Sequence, residues 1–314
     1  MTQPPIIEVL HLTKRYRGAD RDAVEDVSFV VEPGQFFALL GPNGAGKTTT
    51  ISVLTTTLTP TSGTVRIGGH DVVAEASDVR QQVGIIFQHP SLDLNLTAEE
   101  NVRLHAMLYG LAPFRPTYAL MPPGYKRQVA ELAEVLGITD DMFRPVRGFS
   151  GGMKRKLEII RSLVHRPRVL FLDEPTLGLD PASRRSLWAY LTEVRAEGDT
   201  TVFLTTHYLE EAEEADTICI IDRGHIVAFG TPADVKASLG AATLLLDADD
   251  REALRAELAA LGVPFTETPR FEIELDGRSV QEIVKAIDTP LSLVHTQTPS
   301  LEDAYLRIVA EASS

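Results

Sequence analysis

The segment Gly41–Thr48 restricts the possible folds of this chain more than any other feature of its sequence. It directly follows the short apolar run Gln35–Leu40, which is typical of a strand buried in a sheet. It precedes a predicted helix with apolar positions at Ile51, Leu54 and Leu58. A glycine-rich loop between a strand and a helix indicates an α/β sheet with the loop at one edge.

The loop also fits the pattern G-x-x-x-x-G-K-[ST]. Its residues are Gly41, Pro42, Asn43, Gly44, Ala45, Gly46, Lys47 and Thr48. Glycines let backbone N–H groups curve around phosphate oxygens, where a Cβ atom would intrude, and the helix N-terminus adds positive potential. Lys47 then places a cation on the β- and γ-phosphates, while the Thr48 hydroxyl reaches Mg²⁺. The alternative is a chance glycine-rich turn, against which the flanking strand and helix argue.

Two acidic residues end a second buried strand. The apolar run Val169–Leu172 leads into Asp173 and Glu174. Ligands of α/β sheets bind at the carboxyl ends of the strands. We therefore expect Asp173 to hold Mg²⁺ and Glu174 to orient or deprotonate a water molecule. The ordinary alternative is a solvated loop end, but a phosphate-binding loop earlier in the chain supplies the partner that such a pair needs.

A further loop, Ser150, Gly151 and Gly152, precedes a helix with regularly spaced apolar positions. In the ordinary interpretation Ser150 caps this helix. In the functional interpretation it is a second phosphate-binding helix start. Two loops so far apart in one chain do not easily bracket one nucleotide. The functional interpretation therefore predicts a dimer, in which this loop meets the nucleotide of the partner.

The rest of the sequence alternates strands and helices, which indicates a parallel sheet. Residues 6–40 are predicted as strands and residues 96–165 as mainly helical, with an irregular proline-rich insert at 113–123. Beyond residue 240 the pattern restarts, which predicts a small second α/β domain of ferredoxin-like arrangement. The other predicted elements are strands 201–205, 217–222 and 226–230 with a hairpin at 223–225, then strand 243–247, helix 250–261, strand 271–275, helix 279–287, strand 291–296 and helix 300–310.

Charge and composition exclude several classes of partner. The 314 residues carry a formal net charge of −14, which disfavours an extended nucleic-acid surface and direct adhesion to anionic lipid. With one cysteine, Cys219, no disulfide framework is possible within the chain, which suits a reducing compartment. Cys219 is expected as a buried strand residue. No stretch approaches about 18 consecutive apolar residues, and the N-terminus lacks the pattern of a secretory signal. Action at a membrane would therefore require another polypeptide.

Five motifs follow one another along the chain. They are GPNGAGKTT at 41–49, FSGGM at 149–153, FLDEP at 171–175, GLD at 178–180 and TTH at 205–207. This is the order found in ABC ATPases, and the chain resembles that family over roughly residues 5–232. The segment 87–110 and the tail at 299–308 look most similar to drug-export ATPases of the daunorubicin-resistance type. The resemblance implies an α/β P-loop NTPase core with an antiparallel β subdomain and a helical subdomain, plus the small C-terminal α/β domain.

The sequence at 149–153 departs from the usual signature of the ABC ATPase family at two positions. Phe149 and Met153 stand where the family usually has Leu and Gln. The Ser-Gly-Gly centre is intact, and Phe and Met at these positions recur in the drug-export group, so the departure does not imply loss of function. The insert at 113–123 has no clear counterpart in the family.

The resemblance assigns roles to further residues. Tyr16 would stack on adenine, and Thr49 would bind nucleotide with the phosphate loop. Gln88 would sense Mg²⁺ and the γ-phosphate, His207 would hold the γ-phosphate and the attacking water, and Asp180 would bridge two subunits. Apart from Thr49, each has an ordinary alternative as a strand-end tyrosine, a surface amide, a loop histidine or a turn start. The implied catalytic residues are Glu174, His207 and Lys47, and the implied metal ligands are Thr48, Gln88 and Asp173.

For the whole molecule, the resemblance implies ATP and Mg²⁺ as ligands, a homodimer, and a separate permease that holds the subunit peripherally at the cytoplasmic face of the membrane. The ATP-binding domain is predicted at 5–235, with a helical subdomain at about 96–165, and an accessory domain at 240–314. Export of a drug-like or other small hydrophobic compound is favoured over import. No nucleic-acid partner is expected.

Two classes of protein remain as rivals. One is a soluble ABC ATPase acting on ribosomes or DNA, but such proteins usually carry two cassettes or a long coiled coil, and this chain shows neither pattern. The other is a P-loop small-molecule kinase, which leaves Ser150–Gly152 and His207 unexplained.

Overall fold

The chain divides into two compact units, Met1–Phe229 and Gly230–Ser314. The structure, a computed structural model, describes residues 4–86, 92–111, 113–176, 178–196, 200–206, 208–237, 243–267, 269–275, 278–297 and 300–312.

The first unit contains two sheets and a group of helices. Its strands are β1 (Ile7–Lys14), β2 (Val24–Val31), β3 (Phe36–Leu40), β4 (Ser62–Ile67), β5 (His70–Asp71), β6 (Val83–Ile86), β7 (Val169–Asp173), β8 (Thr201–Thr205), β9 (Thr217–Asp222) and β10 (His225–Gly230). Its helices are α1 (Lys47–Leu54), α2 (Ala76–Gln82), α3 (Ala98–Leu108), α4 (Pro123–Val135), α5 (Gly151–Leu163), α6 (Pro181–Ala196) and α7 (Leu209–Ala212).

The larger sheet has the strand order β10-β9-β3-β8-β7-β6. Strand β3 pairs in parallel with β8 and β9, and β7 pairs in parallel with β6 and β8. Since β3, β8 and β7 are consecutive neighbours, the residues that follow each of them meet at one edge of the sheet. This arrangement confirms the predicted parallel α/β core.

The smaller sheet is antiparallel, with the order β2-β1-β4-β5. In β2 the alternate residues Val27, Phe29 and Val31 are buried. Phe29 stacks on Phe37 of β3 with ring centroids 5.1 Å apart, and Phe37 stacks on Phe203 of β8 at 5.0 Å. Each such aromatic pair contributes about 0.5–1.5 kcal/mol beyond burial, so the stack fixes one sheet against the other.

The segment 96–165 is mainly helical, as predicted. Helix α5 packs against α3, α4 and β6. Helix α3 begins with a capping box, in which the Thr97 hydroxyl accepts from the Glu100 N–H and the Glu100 carboxylate accepts from the Thr97 N–H. The insert at 113–123 is irregular apart from a single 3₁₀ turn, Tyr118–Leu120, and the start of α4.

The second unit contains α8 (Pro232–Ala237), β11 (Thr243–Ala248), α9 (Arg251–Ala260), β12 (Thr266–Glu267), β13 (Phe271–Glu274), α10 (Val280–Lys285), β14 (Leu291–Gln297) and α11 (Leu301–Ala312). Its sheet has the order β12-β13-β11-β14, and every pair is antiparallel. This is the split βαβ arrangement that the sequence predicts as ferredoxin-like. Strand β12 was not predicted, because two residues are too few to show an alternation.

Three local features match the sequence prediction to different degrees. Helix α1 was expected to reach Leu58 but ends at Leu54, because Thr56 adopts a left-handed φ of 61° and the Thr55 hydroxyl donates to the Ile51 carbonyl at 2.8 Å. Cys219 is fully buried in β9, as expected. Residues Arg223 and Gly224 form the predicted hairpin turn between β9 and β10, with φ angles of 48° and 87°.

Candidate active site

The glycine-rich loop connects β3 to α1 in a space that only glycine can fill at two positions. A Cβ atom on Gly41 would lie 2.2 Å from the carbonyl oxygen of Ile221, and one on Gly46 would lie 2.6 Å from that of Ala23. Gly46 also adopts a φ of 113° directly before the helix. The loop is held from outside, since the Gly224 N–H donates to the Ala45 carbonyl at 2.9 Å.

The loop opens onto a cleft of about 180 Å³. The cleft is lined by Ala23, Pro42, Asn43, Gly44, Ala45, Gly46, Lys47, Thr48, Thr49, Asp173 and Glu174. The structure thus brings together the phosphate-loop pattern and the two acidic residues, which the sequence places far apart. A glycine cradle, a cation and oxygen ligands in one small cleft suit the phosphates of a nucleotide and a hard divalent cation.

Lys47 is buried at the floor of this cleft. Its Nζ donates to the carbonyl oxygens of Gly41 and Pro42, at 2.6 and 3.1 Å. Burial lowers the pKa of Lys47, while the nearby charges of Glu174 and Asp173 act in the opposite direction. The ammonium is therefore held by its own loop and lies among negative groups, ready to exchange carbonyl partners for phosphate oxygens.

Asp173 is the last residue of β7, and only 7% of its surface is exposed. The hydroxyl of Thr205, at the end of the neighbouring strand β8, donates to its carboxylate. Burial raises the pKa of Asp173, and the Thr205 hydrogen bond opposes this effect by favouring the ionised form. Thr205 is a site residue that the sequence did not single out, although the TTH motif begins with it.

Glu174 adopts a left-handed backbone, with a φ of 49°. Its N–H donates to the Thr205 carbonyl at 3.0 Å, and its own carbonyl accepts from Arg155 at 2.8 Å. Such a conformation is costly for a side chain with a Cβ and persists only where the surroundings hold it. The backbone of Glu174 is thus held in one conformation, which fixes the direction of its Cα–Cβ bond.

Tyr16 lies beside the start of α1. Its hydroxyl shares a hydrogen bond with the Thr49 hydroxyl at 3.2 Å, and the Lys14 Nζ lies 5.7 Å from the centre of its ring. Tyr16 is 46% exposed, so its side chain is accessible to a ligand. This position next to the phosphate loop is compatible with the predicted stacking of Tyr16 on adenine.

Ser150 caps α5, since its hydroxyl accepts from the Met153 N–H at 3.2 Å. This is the ordinary role foreseen for it. Asp180 caps α6 in the same manner, accepting from the N–H groups of Ala182 and Ser183 at 3.1 and 2.9 Å. The Ser183 hydroxyl, first of all, and these backbone donors lower the pKa of Asp180 to about 2. Neither residue is among those that line the cleft in the described part of the chain.

Two of the predicted site residues, Gln88 and His207, lie outside the described residues. The strands that precede them, β6 and β8, belong to the parallel sheet. Their assigned roles remain predictions.

Comparison with known proteins identifies the family. A family model described as ABC transporter matches residues 24–177. The daunorubicin/doxorubicin resistance ATP-binding protein DrrA of Streptomyces peucetius is 42% identical over 268 residues, which cover 83% of this chain and 78% of that protein. The chain belongs to the ABC transporter ATP-binding family.

Other members of the ABC transporter family agree. The Nod factor export ATP-binding protein I of Ralstonia nicotianae is 39% identical over 82% of this chain and 77% of its own length. A solved structure of an ATP-binding subunit of an ABC transporter has a TM-score of 0.67 and 33% identity, covering 74% of this chain and 93% of that one. Both the predicted ABC ATPase fold and the resemblance to drug-export ATPases are confirmed.

As a member of this family, the chain is an ATP-binding subunit with ATP hydrolase activity. ABC ATPases dimerise and work with membrane permeases. In the described part of this chain, no helix has both the length and the apolar character needed to cross a membrane.

Proposed function

We propose that this chain forms a homodimer that hydrolyses ATP with Mg²⁺ and drives export of a small hydrophobic or drug-like compound through a separate permease. The dimer would bind peripherally at the cytoplasmic face of the membrane. Similarity to a drug-resistance protein and to a Nod factor export protein, named above, supports export over import. The ATP-binding domain would span 5–235, and the domain at 240–314 would support dimerisation or regulation.

The observation that carries the shared-site proposal is the separation of two phosphate-binding elements in one chain. The cleft contains the phosphate loop and both carboxylates, and its described lining does not include 150–152. The Ser150–Gly152 loop begins α5 and is exposed at Ser150 and Gly151. Two-fold symmetry would let this loop of one chain close the cleft of the other, and would generate both sites at once.

Within each site, the residues of the chain would have different roles. Backbone N–H groups of 41–49 and the Lys47 ammonium would bind the β- and γ-phosphates, and Tyr16 would stack on the base. Thr48, Asp173 and Gln88 would hold Mg²⁺, which when bound neutralises charge on the phosphates. Glu174, with its backbone locked, would orient or deprotonate the attacking water, assisted by His207. Asp180 would lie at the contact between the subunits.

The test is a subunit-mixing experiment with two lesions. Lys47→Ala removes the cation from the phosphate loop, and Ser150→Arg obstructs the loop that meets the partner's nucleotide. Each homodimer should be inactive because both of its sites carry a lesion. In the mixed dimer both lesions fall on one site, so the other site is intact and ATPase activity should return.

The control is a mixture of the wild-type chain with a chain that carries both substitutions. If each site were built within a single chain, the wild-type chain of this dimer would keep one intact site. In the shared arrangement no site stays intact. Its two sites each carry one lesion, so it should be inactive, whereas a wild-type homodimer diluted to the same site concentration gives the reference rate. Activity in this control dimer, together with none in the mixed dimer of Lys47→Ala and Ser150→Arg chains, would show that the shared-site proposal is wrong.

A further inference from the structure

Arg155 holds the backbone of the turn that carries Glu174. It lies on α5, and only 4% of its surface is exposed. Its Nε donates to the Pro175 carbonyl at 3.0 Å, and its Nη2 donates to the carbonyls of Asp173 and Glu174 at 3.0 and 2.8 Å. One guanidinium therefore binds three successive carbonyl groups, from the last residue of β7 to the second residue after it.

The turn needs such support because Glu174 has a φ of 49°. A left-handed conformation at a residue with a Cβ persists only when its surroundings over-determine it. On one side the Glu174 N–H is bonded to Thr205 of β8, and on the other the carbonyls are bonded to Arg155. The planar guanidinium suits three acceptors in a fixed geometry, which the point charge of a lysine does not.

The buried charge of Arg155 is compensated by Glu158 of its own helix and by the nearby charges of Asp173 and Glu174. Its Nη1 donates to Glu158 at 3.3 Å, and the other carboxylate oxygen of Glu158 lies 3.7 Å from Arg161. Arg155 is thus bonded both to its own helix, through Glu158, and to the carbonyls of residues 173–175. A shift or tilt of α5 would therefore act on these carbonyls.

The two ends of this connection serve different nucleotides, a statement that rests on the proposed function. Helix α5 starts at the Ser150–Gly152 loop, which would contact the nucleotide of the partner, whereas Glu174 acts on the nucleotide of its own chain. We propose that Arg155 is a positioning residue that couples the two ATP sites of the dimer, by setting the orientation of Glu174 according to the position of α5.

The test compares Arg155→Lys and Arg155→Gln with the matched control Arg161→Lys, which alters a second largely buried arginine of the same helix. ATPase rate is measured against ATP concentration, and ATP affinity is measured separately by calorimetry. We expect a Hill coefficient above about 1 in the parent, falling to about 1 in both Arg155 variants. Their kcat should fall at least about tenfold through misplacement of Glu174, with ATP affinity unchanged. Arg161→Lys should keep the parental Hill coefficient.

Thermal unfolding shows which variants fold. If Arg155→Lys does not fold, Arg155→Gln is used for the test. A folded Arg155 variant that remains as cooperative as the parent overturns the proposal, as does a parent that shows no cooperativity. A fall in kcat alone, with cooperativity retained, reduces Arg155 to a structural role and also overturns it. Return of activity in the subunit-mixing experiment together with any of these results leaves the shared sites standing and removes only the coupling through Arg155.

Discussion

At the scale of single residues, the two largest influences on the pKa of Asp173 act in opposite directions. Burial raises its pKa, and the Thr205 hydroxyl counteracts this by donating to the ionised form. Thr205→Val removes the donor, so the pKa of Asp173 should rise further. An ionised Asp173 is lost as pH falls through that pKa, and the acidic limb of the Mg²⁺-dependent ATPase profile should therefore move to higher pH.

The measurement is the ATPase rate at saturating ATP across a range of acidic to neutral pH. Thr201→Val is a matched control on the same strand, because its hydroxyl accepts from the Gly34 N–H at 2.9 Å and lies at the opposite end of β8. An acidic limb that moves equally in both variants, or in neither, would refute the role given to Thr205.

Glu174 gives the second prediction at this scale. Glu174→Gln keeps the volume and the backbone bonds but removes the carboxylate that would orient or accept a proton from water. Turnover should fall by about 10²-fold or more, the usual contribution of general acid–base catalysis. ATP binding should persist, and a nucleotide-bound dimer should accumulate in size-exclusion chromatography with ATP and Mg²⁺. Hydrolysis at the parental rate would exclude the role.

The sequence singled out Lys47, Asp173 and Glu174, and the structure brings them into one cleft. It gave no reason to select Arg155 or Thr205. Arg155 bonds to carbonyl oxygens, which every residue has, so no pattern of side chains marks its partners. Thr205 reaches Asp173 across neighbouring strands, 32 positions apart, and that register is decided by sheet pairing rather than by local sequence.

At the scale of elements, two roles of Ser150 at the start of α5 can be tested separately. One is helix capping, and the other is the proposed contact with the partner's nucleotide. Ser150 caps the helix, and Ser150→Ala should lower the free energy of unfolding by about 1 kcal/mol. Ser150→Asp keeps a good cap and adds a favourable charge at the helix N-terminus. It should therefore keep the parental stability, yet lose ATPase activity because the carboxylate repels the phosphates of the partner's ATP.

Denaturant unfolding and ATPase assays of both variants check this prediction. Loss of activity in proportion to loss of stability would mean that Ser150 acts only as a cap. Full activity in Ser150→Asp would mean that the loop does not approach phosphate.

Elements buried on all sides were the most predictable. The apolar runs that became β3, β7 and β8 are fully buried, and their short uniform patterns suffice to identify them. Boundaries set by single backbone angles were less predictable. Helix α1 ends early because Thr56 leaves the helical region, and nothing in the spacing of Ile51, Leu54 and Leu58 signals this.

At the scale of the whole molecule, each compact unit has a core of its own. The core of the first unit includes Phe37, Phe171 and Phe203, and the core of the second includes Leu246 and Phe271. A chain ended near residue 236 should therefore fold and bind ATP with parental affinity, while dimerisation or transport changes. Calorimetry with ATP on the folded truncated protein measures the first part, and sedimentation measures the second. Loss of ATP binding by a folded truncated chain would show that ATP binding does not belong to the first domain alone.

The burial of Cys219 makes the chain suitable for spectroscopic labelling. It is the only cysteine of the sequence, it is fully buried, and burial raises the pKa of its thiol to about 12. Maleimide and methanethiosulfonate reagents are electrophiles that react with thiolates, so the folded native chain should give almost no background. A cysteine placed at Leu108, which is 85% exposed on α3, would then carry one spin label or fluorophore per subunit. Pairs of such labels would report the distance between two subunits through a complete turnover cycle, without prior removal of a native thiol.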